Sequence, residues 1–126
     1  MKRIKFLLKD LDKALLKLAE AVKSAKTELE TDGAIQRFEF SFELLWKALQ
    51  VYLQKEGIIA NSPKSVIKEA FKQGMITNEK LWLQILEDRN MSVHIYSEDL
   101  SRDIFKRIKT KYFKEFIKLK DKILSE

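Results

Sequence analysis

The chain has no cysteine, one proline and three glycines among its 126 residues. Without cysteine there is no disulfide framework, no thiolate nucleophile and no cysteine metal site, which fits a reducing compartment. Turn-forming residues are too scarce for a fold of many strands. The low proline and glycine content therefore predicts an all-helical protein.

Long apolar runs are missing as well. No stretch of 18 apolar residues occurs, and the start of the chain is interrupted by lysine and arginine, so we expect no signal peptide, no membrane segment and a cytoplasmic location. A hydrophobic content of 45% in this length favours a single helical-bundle domain over residues 1–126. The formal net charge of +6 permits attraction to RNA or another polyanion without demonstrating it.

Apolar residues recur at steps of three and four, which is typical of amphipathic helices. We predict helices over about residues 2–26, 34–56, 63–73, from 77 or 78 into the segment 89–96, and 98–124. Thr31 or Asp32 is the expected N-cap of the second helix, and Gly57 and Gly74 are expected to end the second and third. The pattern predicts an antiparallel up-and-down bundle of four to five helices.

The second predicted helix is apolar on much of its surface, so it is either central in the bundle or covered by another chain. Phe40 and Val51 are our candidates for a dimer face. Lysines repeat every four residues along the first helix, and the last helix is also basic. We interpret both basic faces as solvated, with an RNA-binding track as the alternative. The residues are Lys5, Lys9, Lys13, Lys17, Lys106, Arg107, Lys109, Lys111, Lys114 and Lys118.

His94 is the only histidine, and histidine is the side chain that exchanges protons near neutral pH. Arg89 lies five residues before it, and Tyr96 lies two residues after it. On a regular helix Asn90 and His94 share one face, whereas Arg89 and His94 point about 140° apart. To act on one reacting group, Arg89 and His94 need a local distortion or a second copy of the segment facing the first.

Each of these residues also has a structural interpretation. His94 could be a hydrogen-bonded structural histidine, and Arg89 could be an ion-pair partner of Glu87 or Asp88. Asn90 could orient the imidazole, donate to a phosphate oxygen or cap a distorted turn.

Glu39 and Glu43 are spaced as paired carboxylates, but a di-metal bundle would also need Glu-x-x-His, and the residue three before His94 is Met91. We therefore expect no metal site. Glu43 is instead expected to pair with Lys47, four residues later.

The pattern Arg89-Asn90-x-x-x-His94 resembles the Arg-x4-His signature of the HEPN superfamily, and the extension to Tyr96 resembles its HepT branch. Two further blocks, residues 35–47 and 62–71, are similar to small helical proteins described as nucleotidyltransferase substrate-binding proteins. The resemblance implies a HEPN-like helical bundle that forms a two-fold dimer.

Members with this signature are metal-independent ribonucleases, so the resemblance implies a toxin that cleaves RNA with Arg89 and His94 in a shared dimer cleft. It also implies that a separate minimal nucleotidyltransferase of the MntA type attaches AMP to Tyr96 as the antitoxin. No cofactor is expected. The alternative is a non-catalytic adaptor that binds the nucleotidyltransferase and presents a substrate to it.

Overall fold

The computed structural model describes residues 2–94 and 97–126, and this part of the chain is helical without any strand. Its elements are α1 (Lys2–Ser24), α2 (Glu28–Lys55), α3 (Pro63–Lys72), α4 (Glu79–Ser92), α5 (Glu98–Arg107), a π-helical turn (Ile108–Tyr112) and α6 (Phe113–Ser125). α5, the π-helical turn and α6 follow one another without a break and form one long rod. The all-helical bundle predicted from the sequence is confirmed. None of the described helices is long and apolar enough to cross a membrane.

α2 is the central helix of the bundle. It packs most extensively on α1 and also contacts α3, α4, α5 and α6. Phe40 is 54% exposed, as a residue of a dimer face has to be, but Val51 is only 2% exposed. The choice of Val51 for a dimer face is wrong, because helices of the same chain already cover its side of α2.

α2 begins earlier than the sequence suggested. Thr27 is its N-cap: the Glu30 backbone N–H donates to Thr27 Oγ1 (3.1 Å), and the Thr27 N–H donates to Glu30 Oε1 (3.0 Å). This capping box satisfies donors that the first helical turn leaves unpaired. The predicted N-cap at Thr31 or Asp32 is therefore wrong, and Gly33 lies inside the helix.

The predicted starts of α3 and α4 and the predicted ends of α2 and α3 are confirmed. Ser62 is the N-cap of α3, with Pro63 at the first helical position, and Asn78 is the N-cap of α4. Gly57 and Gly74 follow α2 and α3 with φ of 83° and 77°, a backbone conformation that only glycine adopts without strain.

Aromatic side chains fill the centre of the bundle around Phe116. Its ring lies 5.6 Å from that of Phe38, 5.7 Å from that of Trp82 and 6.3 Å from that of Phe42, measured between centroids. Such ring pairs stabilise the fold beyond the contribution from burial of their apolar surface. The cluster holds α2, α4 and α6 together, and Phe42 extends it towards Arg89 of α4.

Candidate functional site

Arg89 lies near the end of α4 and points its guanidinium at α2. Its Cζ is 5.2 Å from the centroid of the Phe42 ring, and its Nη1 is 3.9 Å from Glu43 Oε2. The side chain is 23% exposed, and its Nε is buried without a hydrogen-bond partner among the described residues. The aromatic face and the carboxylate hold the cation in place, and the exposed part of the guanidinium remains accessible to an anion.

Glu43 is the centre of a small polar group on α2. Its Oε2 accepts a hydrogen bond from the Trp46 indole N–H (3.0 Å), and its Oε1 lies 3.4 Å from Lys47 Nζ. The predicted pair of Glu43 with Lys47 is confirmed. The structural interpretation of Arg89 as a partner of Glu87 or Asp88 is wrong, because Arg89 faces Glu43 on a different helix.

α4 ends at Ser92, directly beside the site. The Ser92 hydroxyl donates to Glu39, one turn before Glu43 on α2. Glu39 and Glu43 therefore hold the last turn of α4 at two points, Ser92 and Arg89. In the described part of the chain, no three His, Cys, Asp or Glu side chains are arranged to hold a metal ion.

His94 lies two residues beyond the end of α4. Its backbone N–H donates to the Met91 carbonyl (3.0 Å), and its side chain is exposed. No hydrogen bond joins His94 to Arg89 in the part of the chain that the structure describes. Asn90 is also exposed on the last turn of α4. Tyr96 lies outside the described residues.

A buried carboxylate, which sequence reasoning missed, stands next to Arg89. Asp88 Oδ2 accepts from Arg107 Nε (2.7 Å), Asp88 Oδ1 accepts from Arg107 Nη2 (3.0 Å), and the Tyr112 hydroxyl donates to Oδ2. Burial and the hydrogen bond to Asp88 raise the pKa of Tyr112 above its ordinary value. Arg107, assigned from the sequence to a solvated basic face, is instead half-buried and paired.

A groove of about 510 Å³ opens on the other side of Ser92, between α2 and α5. Its lining contains four carboxylates and three serine hydroxyls. These are Glu28, Asp32, Glu39, Glu98, Ser92, Ser97 and Ser101. Sequence reasoning did not find this groove, although Glu28, Asp32 and Glu39 recur at helical steps of four and seven on α2.

The fold and these residues define a small helical protein with a fixed, partly unsatisfied arginine five residues before an exposed histidine. The family described as nucleotidyltransferase substrate binding protein like matches residues 7–125. The chain therefore belongs to this family.

Individual relatives agree with that assignment. The chain is 30% identical over 81 residues to a probable ribonuclease HepT of Haemophilus influenzae, an alignment that covers 60% of this chain and 56% of that protein. A crystal structure of a Thermus thermophilus protein is 39% identical, with a TM-score of 0.76 over 91% of this chain and 96% of the other.

A second solved structure supports the fold alone. It is a Haemophilus influenzae protein described as revealing the fold of a substrate binding domain of a nucleotidyltransferase. It has a TM-score of 0.81 at 24% identity and covers 93% of this chain and 98% of its own.

Proposed function

We propose that this protein is a HepT-like toxin, a metal-independent endoribonuclease in which Arg89 binds the scissile phosphate and His94 transfers protons. The observation that carries the proposal is the state of Arg89: its guanidinium is held over Phe42 and lies 3.9 Å from Glu43 Oε2, with 23% of the side chain exposed. An anion that reaches the exposed part of this guanidinium can accept hydrogen bonds from its N–H groups. The partial relationship to a probable ribonuclease HepT supports the same activity.

The reaction needs a base, a cation and an acid. One imidazole takes the proton from an RNA 2′-hydroxyl, whose oxygen attacks the neighbouring phosphorus as the bond to the 5′-oxygen breaks. The leaving oxygen takes a proton from an acid, which leaves a 2′,3′-cyclic phosphate and a free 5′-hydroxyl. Arg89 stabilises the charge that develops on the phosphoryl oxygens. Asn90, exposed on the last turn of α4, is proposed to orient the imidazole or to donate to the same phosphate.

A two-fold dimer supplies the second histidine. Because each chain has only one histidine, a separate histidine base and histidine acid must come from two copies. Met91 and Val93, beside His94, expose 39% and 50% of their surface, which is apolar surface that a second copy would cover. Light scattering at micromolar concentration should give twice the chain mass, and a monomer would contradict the composite cleft.

A nucleotidyltransferase is the proposed partner that controls the site. We propose that a separate minimal nucleotidyltransferase of the MntA type attaches AMP to Tyr96. The added phosphate would place negative charge and bulk near Arg89, where the RNA phosphate binds. Mass spectrometry after incubation with that transferase and ATP should show added AMP, and equal labelling of Tyr96→Phe would refute the assignment.

Cleavage of RNA in EDTA tests the enzyme itself. Wild type should cleave, and Arg89→Ala and His94→Ala should each lose at least about 99% of the rate, because phosphate stabilisation and proton transfer each contribute roughly hundredfold or more. Arg102→Ala is the matched control, since Arg102 is an exposed arginine whose partners, Glu98 and Asp99, lie on its own helix. Cleavage that survives both site variants would remove these residues from the mechanism.

The same assay separates the enzyme from the alternative adaptor. An adaptor would bind a nucleotide phosphate through Arg89 without cleaving RNA. Wild-type protein that is dimeric, free of AMP and inactive on RNA, yet bound to the nucleotidyltransferase, would favour the adaptor that the family description suggests.

A further inference from the structure

Asp88 and Arg89 are adjacent in sequence, but their side chains contact different helices. Asp88 is buried and faces the rod formed by α5, the π-helical turn and α6, where Arg107 and Tyr112 hold its carboxylate. Arg89 faces α2, where Phe42 and Glu43 hold its guanidinium. Successive helical residues point about 100° apart, so the contacts of Asp88 fix the direction in which Arg89 points.

The π-helical turn allows Arg107 and Tyr112 to bind the Asp88 carboxylate at the same time. In an α-helix, residues five apart such as Arg107 and Tyr112 point about 140° apart and cannot meet at one carboxylate. A π-helical turn has hydrogen bonds between residues five apart, as the Phe113 N–H to Ile108 carbonyl bond shows, and it aligns such residues on one face. Arg107 and Tyr112 then reach Asp88 together.

We propose that Asp88, Arg107 and Tyr112 are positioning residues that set the rotation of α4 and so aim the Arg89 guanidinium at the phosphate. The two parallel bonds from Arg107 fix the direction of the carboxylate as well as its place, since a guanidinium and a carboxylate match at two points. The Tyr112 hydroxyl adds a third donor from a side chain with no exposed surface. Their proposed effect on catalysis is exerted through Arg89.

The contacts that the last turn of α4 makes with α2 are weaker than those of Asp88. They are the Arg89 guanidinium over Phe42, its 3.9 Å pair with Glu43, which is 38% exposed, and the Ser92 hydroxyl on Glu39. Contacts between partly exposed charges are weak. The two-point pair of buried Asp88 with half-buried Arg107 is the stronger constraint, and it acts one residue away from Arg89.

The inference deepens the proposed ribonuclease function, so its test needs a readout that is independent of cleavage. The NMR signal of the Arg89 Nε–H, assigned by its loss in Arg89→Lys, reports the surroundings of this buried group directly. We expect the signal to shift in Arg107→Lys, which retains the charge but loses the two-point contact, and in Tyr112→Phe. Asp12→Asn is the control, because it removes a carboxylate of α1 whose ion pair is with Lys120 (3.0 Å) on α6.

The kinetic expectation follows from the same geometry. Arg107→Lys should lower kcat for RNA cleavage on the order of tenfold to hundredfold, as misplaced catalytic groups do, with little change in KM. Asp12→Asn should leave kcat unchanged. An unchanged Arg89 Nε–H signal in folded Arg107→Lys and Tyr112→Phe would overturn the positioning role. If wild type cleaves no RNA, the proposed function fails, while the NMR signal still decides whether Asp88 positions Arg89.

Discussion

Glu43 Oε2 lies between two donors, 3.0 Å from the Trp46 indole nitrogen and 3.9 Å from Arg89 Nη1. The indole fixes this oxygen within reach of the guanidinium. An approaching RNA phosphate therefore meets a cation that already has a carboxylate neighbour. Glu43 and the phosphate compete for the same charge.

Replacing this carboxylate with an amide should strengthen RNA binding. Glu43→Gln retains an oxygen for the Trp46 N–H but removes the negative charge beside Arg89. Partly exposed ion pairs contribute roughly 0.2–1 kcal/mol, so we expect the Kd for a non-cleavable 2′-O-methyl RNA to fall by about fivefold at most. Fluorescence anisotropy at fixed salt measures the change.

Glu69→Gln is the matched control for overall charge. Glu69 pairs with Lys72 at 3.4 Å on α3, and its replacement raises the net charge by the same amount. It should change RNA affinity less than Glu43→Gln does. Weaker binding by Glu43→Gln would mean that Glu43 mainly holds Arg89 in place, contrary to this prediction.

Truncation of Phe116 should lower the free energy of unfolding more than truncation of most other residues. It is fully buried and its ring stacks on those of Phe38 and Trp82. Phe116→Ala removes a ring that links α2, α4 and α6, and such core truncations cost about 3–5 kcal/mol. Urea unfolding followed by circular dichroism measures the decrease in the free energy of unfolding. Phe40→Ala is the control, because it removes the same side chain from an exposed position. A loss below about 1 kcal/mol would contradict the packing described.

The sequence predicted most helix ends but not the start of α2, and the reason is local. Thr31, Asp32 and Gly33 look like a break, and a helical glycine costs about 1 kcal/mol relative to alanine. The capping box of Thr27 with Glu30 and the buried Ala34 and Ile35 keep the glycine in the helix. Tertiary packing outweighed local propensity here.

Gly33→Ala should therefore stabilise the protein. Gly33 lies inside α2 without a positive φ, and a Cβ added there would meet no atom within 4 Å apart from its chain neighbours and the backbone of its own helix. We expect the free energy of unfolding to rise by about 0.5–1 kcal/mol, measured by urea titration. Gly57→Ala, at a residue with φ of 83°, should instead destabilise the protein. A loss of stability in Gly33→Ala would argue for the helix break that the sequence suggested.

Only part of the arrangement of side chains around Arg89 could be predicted from the sequence. The signature pointed to Arg89 and His94, but the pairing of Asp88 with Arg107 depends on a π-helical turn that regular periodicity hides. Four buried residues of the rod follow one another at steps of four: Ile104, Ile108, Tyr112 and Phe116. On a regular helix, the side chains at such steps would rotate progressively around the axis, by about 120° from the first residue to the last. That excess spacing is a local sign of the π-helical turn.

The last prediction concerns Tyr112 and alkaline pH. Burial and the Asp88 hydrogen bond raise the pKa of Tyr112 in the folded protein above its ordinary value of about 10. As the pH rises through 10, the unfolded chain loses this proton before the folded chain does. The contribution of Tyr112 to stability is therefore complete below pH 10 and declines above it, by at most about 1.4 kcal/mol per pH unit.

Tyr112→Phe isolates this effect. At pH 8 the variant should be about 1 kcal/mol less stable than wild type, because Asp88 loses one donor. Above pH 10 the gap should narrow, since only wild type has the tyrosine that ionises on unfolding at this position. Tyr52, whose pKa is also raised, is present in both proteins and cancels in the difference. Urea unfolding of both proteins at pH 8 and about pH 10.5 measures the gap, and an equal gap at the two pH values would show that Tyr112 ionises as easily in the folded chain as in the unfolded one.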